Sequence, residues 1–151
     1  MKNAFCIAIC LLALLLLFGC RAKKRTDEEP TNTEPADKQS VTFVNSVEDA
    51  DVWILPETEA NLKTTLWGTA TVSGAKAGES CRAPLCEPGD NGHYLFRMID
   101  TDHFYYSADG ITLEDGWTLE IKGDDLHSVV LEVADRDGVL TGAYHVLAAK
   151  L

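Results

Sequence analysis

Between residues 41 and 151, hydrophobic and polar side chains alternate with a period of two in several short runs, which marks strands with one buried face. The runs 41–45, 51–55, 62–73, 93–100, 103–107, 111–113, 117–122, 128–134 and 139–148 are rich in Val, Ile, Thr and aromatic residues and predict strands. In the run ending at Lys122, Trp117, Leu119 and Ile121 fall on one side and Thr118, Glu120 and Lys122 on the other, so Trp117 is expected in the core. Across 65–73, Leu66, Gly68, Ala70 and Val72 share one face, while Trp67 stands in a row of hydroxyls with Thr65, Thr69, Thr71 and Ser73. A tryptophan in such a row points to partial exposure. Trp53 has no assigned face, because Val52 and Ile54 compete with Trp53 and Leu55 for the inside. Turn signals separate the runs at Asp109-Gly110, Asp115-Gly116, Lys122-Gly123-Asp124 and Asp137-Gly138, where positive φ is tolerated. The Ala-rich window 143–151 is the one helix candidate, and its β-branched neighbours weigh against it. No internal repeat is visible. The pattern predicts an all-β domain, a small antiparallel sandwich or barrel of about eight strands.

The first 40 residues break this pattern. Lys2 precedes an unbroken apolar run from Ala4 to Phe18, short for a bilayer-spanning helix and of the right length for a secretory signal. It ends in Leu17-Phe18-Gly19-Cys20, which resembles the lipobox of bacterial lipoproteins, with Phe18 bulkier than is usual there. The resemblance implies cleavage after Gly19, a diacylglyceryl thioether on Cys20, and an extracytoplasmic protein anchored by lipid to the cell membrane, or to the outer membrane where there is one. The alternative is an uncleaved anchor. Arg21, Lys23, Lys24 and Arg25 follow at once, placed to touch anionic head groups at on the order of 1 kcal/mol each. Residues 21–40 hold no aromatic and no Val, Ile, Leu or Met, so they read as a disordered tether that reaches roughly 65 Å when extended. The expected organisation is a signal peptide over 1–19, lipidated cysteine and tether over 20–40, and a β domain over 41–151.

Charge narrows the function classes. The 151-residue chain carries 13 Lys+Arg against 24 Asp+Glu, a formal net charge of −11, and the acid surplus lies in the β domain. That balance excludes the basic footprint of a nucleic-acid binder. Of five cysteines, Cys6 and Cys10 leave with the signal and Cys20 takes lipid. Cys81 and Cys86 remain in what reads as a long loop, and an even pair in an exported domain predicts a disulfide. A metal site built from the Cys-x4-Cys pair with His93 is the weaker alternative.

Catalytic signatures are missing: no G-x-S-x-G, no HExxH, no phosphate-cradling glycine loop and no dinucleotide fingerprint. His93, His103, His127 and His145 are scattered singly. Asp100, Asp102 and Asp109 flank one strand, and Asp124, Asp125, Asp135 and Asp137 lie in later turns, a weak calcium signal since hairpin turns use Asp anyway. Trp67 with Tyr105 and Tyr106 is the candidate ligand-binding platform, set against a reading in which Phe104 and Tyr106, or Tyr105, pack inward. The expectation is a non-catalytic binding or interaction module, without cofactor, for an extracytoplasmic protein or glycan. The alternatives are an acidic inhibitor or scavenger of cationic proteins and, behind it, an envelope hydrolase using a histidine.

Overall fold

In the computed structural model, which describes residues 38–123 and 128–151, the alternating runs pair into two five-stranded sheets packed as an all-β sandwich. The elements are β1 Ser40–Asn45, β2 Ala50–Pro56, α1 Glu59–Lys63, β3 Val72–Ala75, β4 Glu79–Pro84, β5 Tyr94–Asp100, β6 Phe104–Ile111, β7 Thr118–Lys122, β8 Val130–Ala134, β9 Leu140–His145 and β10 Leu147–Lys150. Sheet A has the order β4-β1-β7-β8-β9 and sheet B the order β10-β6-β5-β2-β3. All pairs are antiparallel except β1 with β7. The signal segment, Cys20 and the tether up to residue 37, with Asp124, Asp125 and His127, lie outside the described residues.

The core is the meeting of the two inner faces. Val41, Phe43, Leu119, Ile121, Leu131 and Val133 come from sheet A; Val52, Ile54, Phe96, Met98 and Tyr106 come from sheet B. Phe43 and Phe96 meet across the interface with ring centroids 6.0 Å apart. Burying side chains of this size stabilises by about 1.5–3 kcal/mol each before entropy is counted. Leu119 and Ile121 are fully buried as expected, and Trp117 packs half-buried at the margin of that cluster. The competition on β2 resolves with Val52 and Ile54 inward, so Trp53 and Leu55 face out.

Three expectations change. The 62–73 run is not a strand: α1 and a loop over 64–71 take most of it, and only Val72 and Ser73 join β3. Thr58 caps α1, its hydroxyl accepting from the Asn61 amide at 3.2 Å, and Glu59 pairs with Lys63 one turn later. Residues 139–148 divide into β9 and β10, because Val146 turns inward and carries the chain from sheet A to sheet B. Asp109-Gly110 is not a hairpin turn but a bulge inside β6, where two residues oppose Leu95; Gly110 takes φ 71 and its amide donates to Glu57 Oε2 at 2.7 Å.

The predicted disulfide is also overturned. Cys81 and Cys86 are free thiols. Cys81 is a rung of β4 paired with Phe43, and the ladder runs on until the Leu85 amide reaches Gln39 O. Five residues of nearly extended chain separate the sulfurs' Cα atoms by roughly 15 Å, far beyond the ~7 Å a disulfide bridges.

One buried polar side chain joins the sheets. Asn45, fully buried at the end of β1, donates through Nδ2 to Glu48 O at 2.6 Å and to Ala75 O of β3 at 3.1 Å, and its Oδ1 accepts from the Val47 amide at 3.2 Å. Asn45→Ala strands two carbonyls and one amide, so it is expected to lower unfolding free energy by about 2 kcal/mol. Urea denaturation of the full chain checks this, and a loss under about 0.5 kcal/mol contradicts the assignment.

Candidate functional site

β2 leaves sheet B at Pro56, and the chain then makes a fifteen-residue excursion through α1 and the 64–71 loop before returning as β3. The outer face of the sheet records where that excursion goes. Leu95 and Arg97 project outward from β5, opposite in parity to Tyr94, Phe96 and Met98, yet both are buried, and Leu95 is not part of the core cluster. A sheet face open to water would not hide a leucine and a guanidinium. Trp67, from the loop, contacts Trp53 of β2 and Tyr105 of β6, and β5 lies between those two strands. Its ring therefore spans the outer side of β5.

The ring geometry is specific. Trp67 and Tyr105 stack with centroids 5.5 Å apart and planes 11° apart, and Trp53 meets Trp67 at 5.5 Å and 59°. Such pairs are worth about 0.5–1.5 kcal/mol each beyond area burial. Both indole N–H groups are spent on the loop: Trp53 Nε1 donates to Gly68 O at 3.1 Å and Trp67 Nε1 to Thr64 O at 3.0 Å. With the indole donors engaged, what the three half-buried rings offer outward is mainly π surface and edge, together with the Tyr105 hydroxyl. Leu66 at the loop tip is 87% exposed, and Leu147, which shares the outer face through its pairing with Ser107, is 67% exposed. Asp51 and Asp109 stand on the same face, Asp51 in the row of Ile99 and Tyr105, and exposed Asp102 lies in the adjoining turn. Asp51 accepts from Ser73 Oγ at 2.9 Å and the Gly74 amide at 2.7 Å, and Asp109 pairs with Arg97 at 2.6 Å.

Of the platform read from sequence, Trp67 and Tyr105 come together and Tyr106 does not. Tyr106 is buried in the core, where its hydroxyl donates to Asp100 Oδ2 at 2.8 Å. Trp53, which alternation left unplaced, completes the array in its stead. The signal for it was the Val52–Ile54 pair, since β-branched residues claim the inner face of a half-buried strand.

The three aspartates considered for calcium do not gather into one site: Asp100 and Asp102 share a turn and Asp109 lies away from it. Asp100 is buried and already bonded, Oδ1 accepting the Asp102 amide at 2.9 Å and the Phe104 amide at 2.8 Å. Asp109 sits five residues beyond Phe104 along β6, roughly 17 Å from that turn. Among the described residues no group of three His, Cys, Asp or Glu is close enough to hold a metal ion. His93 precedes β5, His103 occupies the β5–β6 turn at φ 64, and His145 ends β9.

A second concavity, a groove of about 700 Å³, opens beside the same loop. Ile54, Leu55, Thr71, Leu85, Cys86 and Lys38 are among its walls. Thr71 Oγ1 accepts from the Ile54 amide at 2.9 Å, replacing the strand partner that β3 does not supply there. Burial raises the thiol pKa of both Cys81 and Cys86, which disfavours thiolate and leaves the exposed Cys86 a weak nucleophile.

Burial, with the neighbouring Asp100 carboxylate, pushes the Tyr106 hydroxyl well above its ordinary range; burial also raises Tyr94, whose hydroxyl donates to Cys86 O at 2.8 Å. A folded pKa above the unfolded one favours the native state fully below about pH 10 and progressively less as pH climbs beyond it. Two of four tyrosines are therefore expected to resist ionisation in an absorbance titration until the protein unfolds. Tyr106→Phe should make the fall in stability above about pH 10 shallower. Four tyrosines ionising together in the folded protein would contradict the assignment.

No family model, curated protein or solved structure matches this chain.

Proposed function

We propose that this chain is a lipid-tethered, extracytoplasmic, non-catalytic binding module that recognises a protein partner through the outer face of sheet B. The observation that carries the reading is the Trp53–Trp67–Tyr105 array. A fifteen-residue excursion, long beside the one-residue β9–β10 link, places a tryptophan on a sheet face and leaves Leu66 almost wholly in water beside it. Exposed leucines next to half-buried aromatic rings are the composition of a recognition surface, where a few large side chains dominate the affinity. Leu66 and Leu147 favour a protein over a glycan, since exposed leucine side chains gain most from apolar surface on the partner.

Anchoring rests on Leu17-Phe18-Gly19-Cys20 after the apolar run. Cys20→Ala is expected to abolish incorporation of a fatty-acid label and to leave an uncleaved N-terminus by mass. Undiminished labelling would remove the lipoprotein part of the proposal.

Recognition is tested with the full chain immobilised from detergent and exposed to envelope extracts. A partner is expected on the wild type and on Val139→Ser, which alters exposed apolar surface in the β8–β9 turn, and is expected to be lost with Trp67→Ala. Trp67 lies on the surface of the sandwich, so circular dichroism should show the fold unchanged. A partner retained equally by Trp67→Ala overturns the assignment of this face.

A further inference from the structure

The electrostatics of the domain narrow the chemistry of the partner. Within the domain the cations are largely consumed internally: Lys63 pairs with Glu59, Lys76 with Asp49, Arg97 with Asp109, Lys122 with Glu120 and Glu132, and Arg136 with Asp115. Arg82 donates to Ser40 Oγ at 2.8 Å and Lys150 lies over the Phe104 ring. The acid surplus is thus left facing solvent, and the domain presents a negative field to anything that approaches.

The outer face of sheet B joins that field to π surface. The faces of indole and phenol rings carry the negative part of the quadrupole and attract cations, most strongly at tryptophan. Here two tryptophans are held at a tilt and one of them stacks on a tyrosine, with both indole N–H donors turned into the loop. Exposed Asp51 shares that face in the row of Tyr105, and exposed Asp102 lies in the adjoining β5–β6 turn. Aromatic faces whose indole donors are engaged, bordered by carboxylates, match a cationic side chain with an apolar stem, and guanidinium above all, since it is planar and weakly hydrated. They mismatch an anionic ligand.

We infer that this face takes an arginine- or lysine-rich protein segment, whose cations lie against the Trp53–Trp67–Tyr105 rings while Asp51 and Asp102 compensate their charge. The inference rests on the reading of this face as the recognition surface and adds the chemistry of what it recognises. Charge complementarity of this kind speeds encounter as well as holding the complex, so its signature is salt dependence in association together with ring dependence in affinity.

The probe is an oligoarginine peptide, with an oligocitrulline peptide of equal length as its uncharged isostere. Both are titrated into the full chain in detergent at about 50 mM and about 500 mM salt, with tryptophan fluorescence as readout. Oligoarginine is expected to bind and to shift the emission, and oligocitrulline to do neither. Trp67→Ala is expected to weaken binding about tenfold, with Tyr105→Leu as a second variant that keeps the face apolar. The Asp51→Asn, Asp102→Asn double variant should weaken it at low salt and differ little from wild type at high salt. Oligoarginine binding that Trp67→Ala and Tyr105→Leu leave untouched would reduce the effect to net charge and overturn the inference. Equal binding of oligocitrulline would overturn the need for a cation. A neutral envelope partner captured in a Trp67-dependent way, with no oligoarginine binding, would sink the cationic chemistry and keep the module. Loss of Trp67 dependence for both would sink the module itself.

Discussion

The side-chain amide of Asn45 solves the problem that this topology creates for itself. The chain passes between the two sheets five times, at β1–β2, β3–β4, β4–β5, β6–β7 and β9–β10. Every crossing takes the backbone out of one hydrogen-bonded ladder before it enters the next, and peptide groups left bare in a dry interface cost more than a typical hydrogen bond returns. At the first crossing Asn45 supplies both donors and the acceptor needed to satisfy Glu48 O, Ala75 O and the Val47 amide at once. Its own backbone carbonyl accepts from the Gly78 amide at 2.7 Å, so the β3–β4 crossing leans on the same residue. Elsewhere tyrosines take this role. Tyr94 reaches Cys86 O beyond β4, and Tyr144 of sheet A accepts the Thr112 amide at 3.1 Å beyond β6. The apolar faces supply the energy of association, and these few polar side chains hold the two sheets in register.

With the sheets fixed, the outer face of sheet B becomes a surface that the fold did not need to cover. Sheet A manages its outer face with charge: Glu120 and Glu132 are directly opposed on β7 and β8, and Lys122 bridges both at 3.3 and 2.7 Å. Sheet B hides Leu95 and Arg97 and lays Trp67 across β5. Arg97 Nη1 donates to Phe96 O at 2.8 Å, to Ala108 O at 3.1 Å and to Asp109. The covered strip is therefore a second small packing layer with a buried guanidinium paired to an exposed carboxylate at its edge, and burying that charge is tolerable because its partner and two carbonyls face it.

The alternating runs made β1, β2, β5, β7 and β8 legible, with Leu119 and Ile121 on the correct side, because period two is enforced wherever one face is buried and the other wet. β4 was missed although Cys81, Ala83 and Leu85 do alternate inward; two cysteines and two prolines in a row of small residues look like a loop until β1 is there to pair with them. The 62–73 run failed for the opposite reason. Its Thr and Trp content favours strands, but Thr58 with Asn61 is a local cap that starts a helix, and capping is decided within a few residues while strand pairing needs a distant partner. Asp109-Gly110 was legible as a site of positive φ and illegible as a bulge, since the distinction lies in Leu95 of another strand. In the platform, alternation marked Trp67 as exposed for a reason tied to the wrong element, and one residue of parity separates Tyr105 in the array from Tyr106 in the core.

That single step of parity has an electrostatic consequence. Tyr106 takes its hydroxyl inward to the buried Asp100 carboxylate, which also holds the Asp102 and Phe104 amides. The β5–β6 turn is thereby fastened from inside, with His103 kept at φ 64 and its carbonyl accepting the Leu151 amide at 2.9 Å. A fastened turn fixes Tyr105, the next residue out along β6, against which Trp67 stacks. A rigid ring is worth more to a cation than a mobile one, because the entropy of placing it is lost on folding and not again on binding. The buried aspartate that the clustering of acids offered as a weak calcium candidate thus acts one step away from solvent: it orders the strand that presents the ring, and in the proposed mode of recognition it leaves the exposed carboxylates of Asp51 and Asp102 to meet the charge.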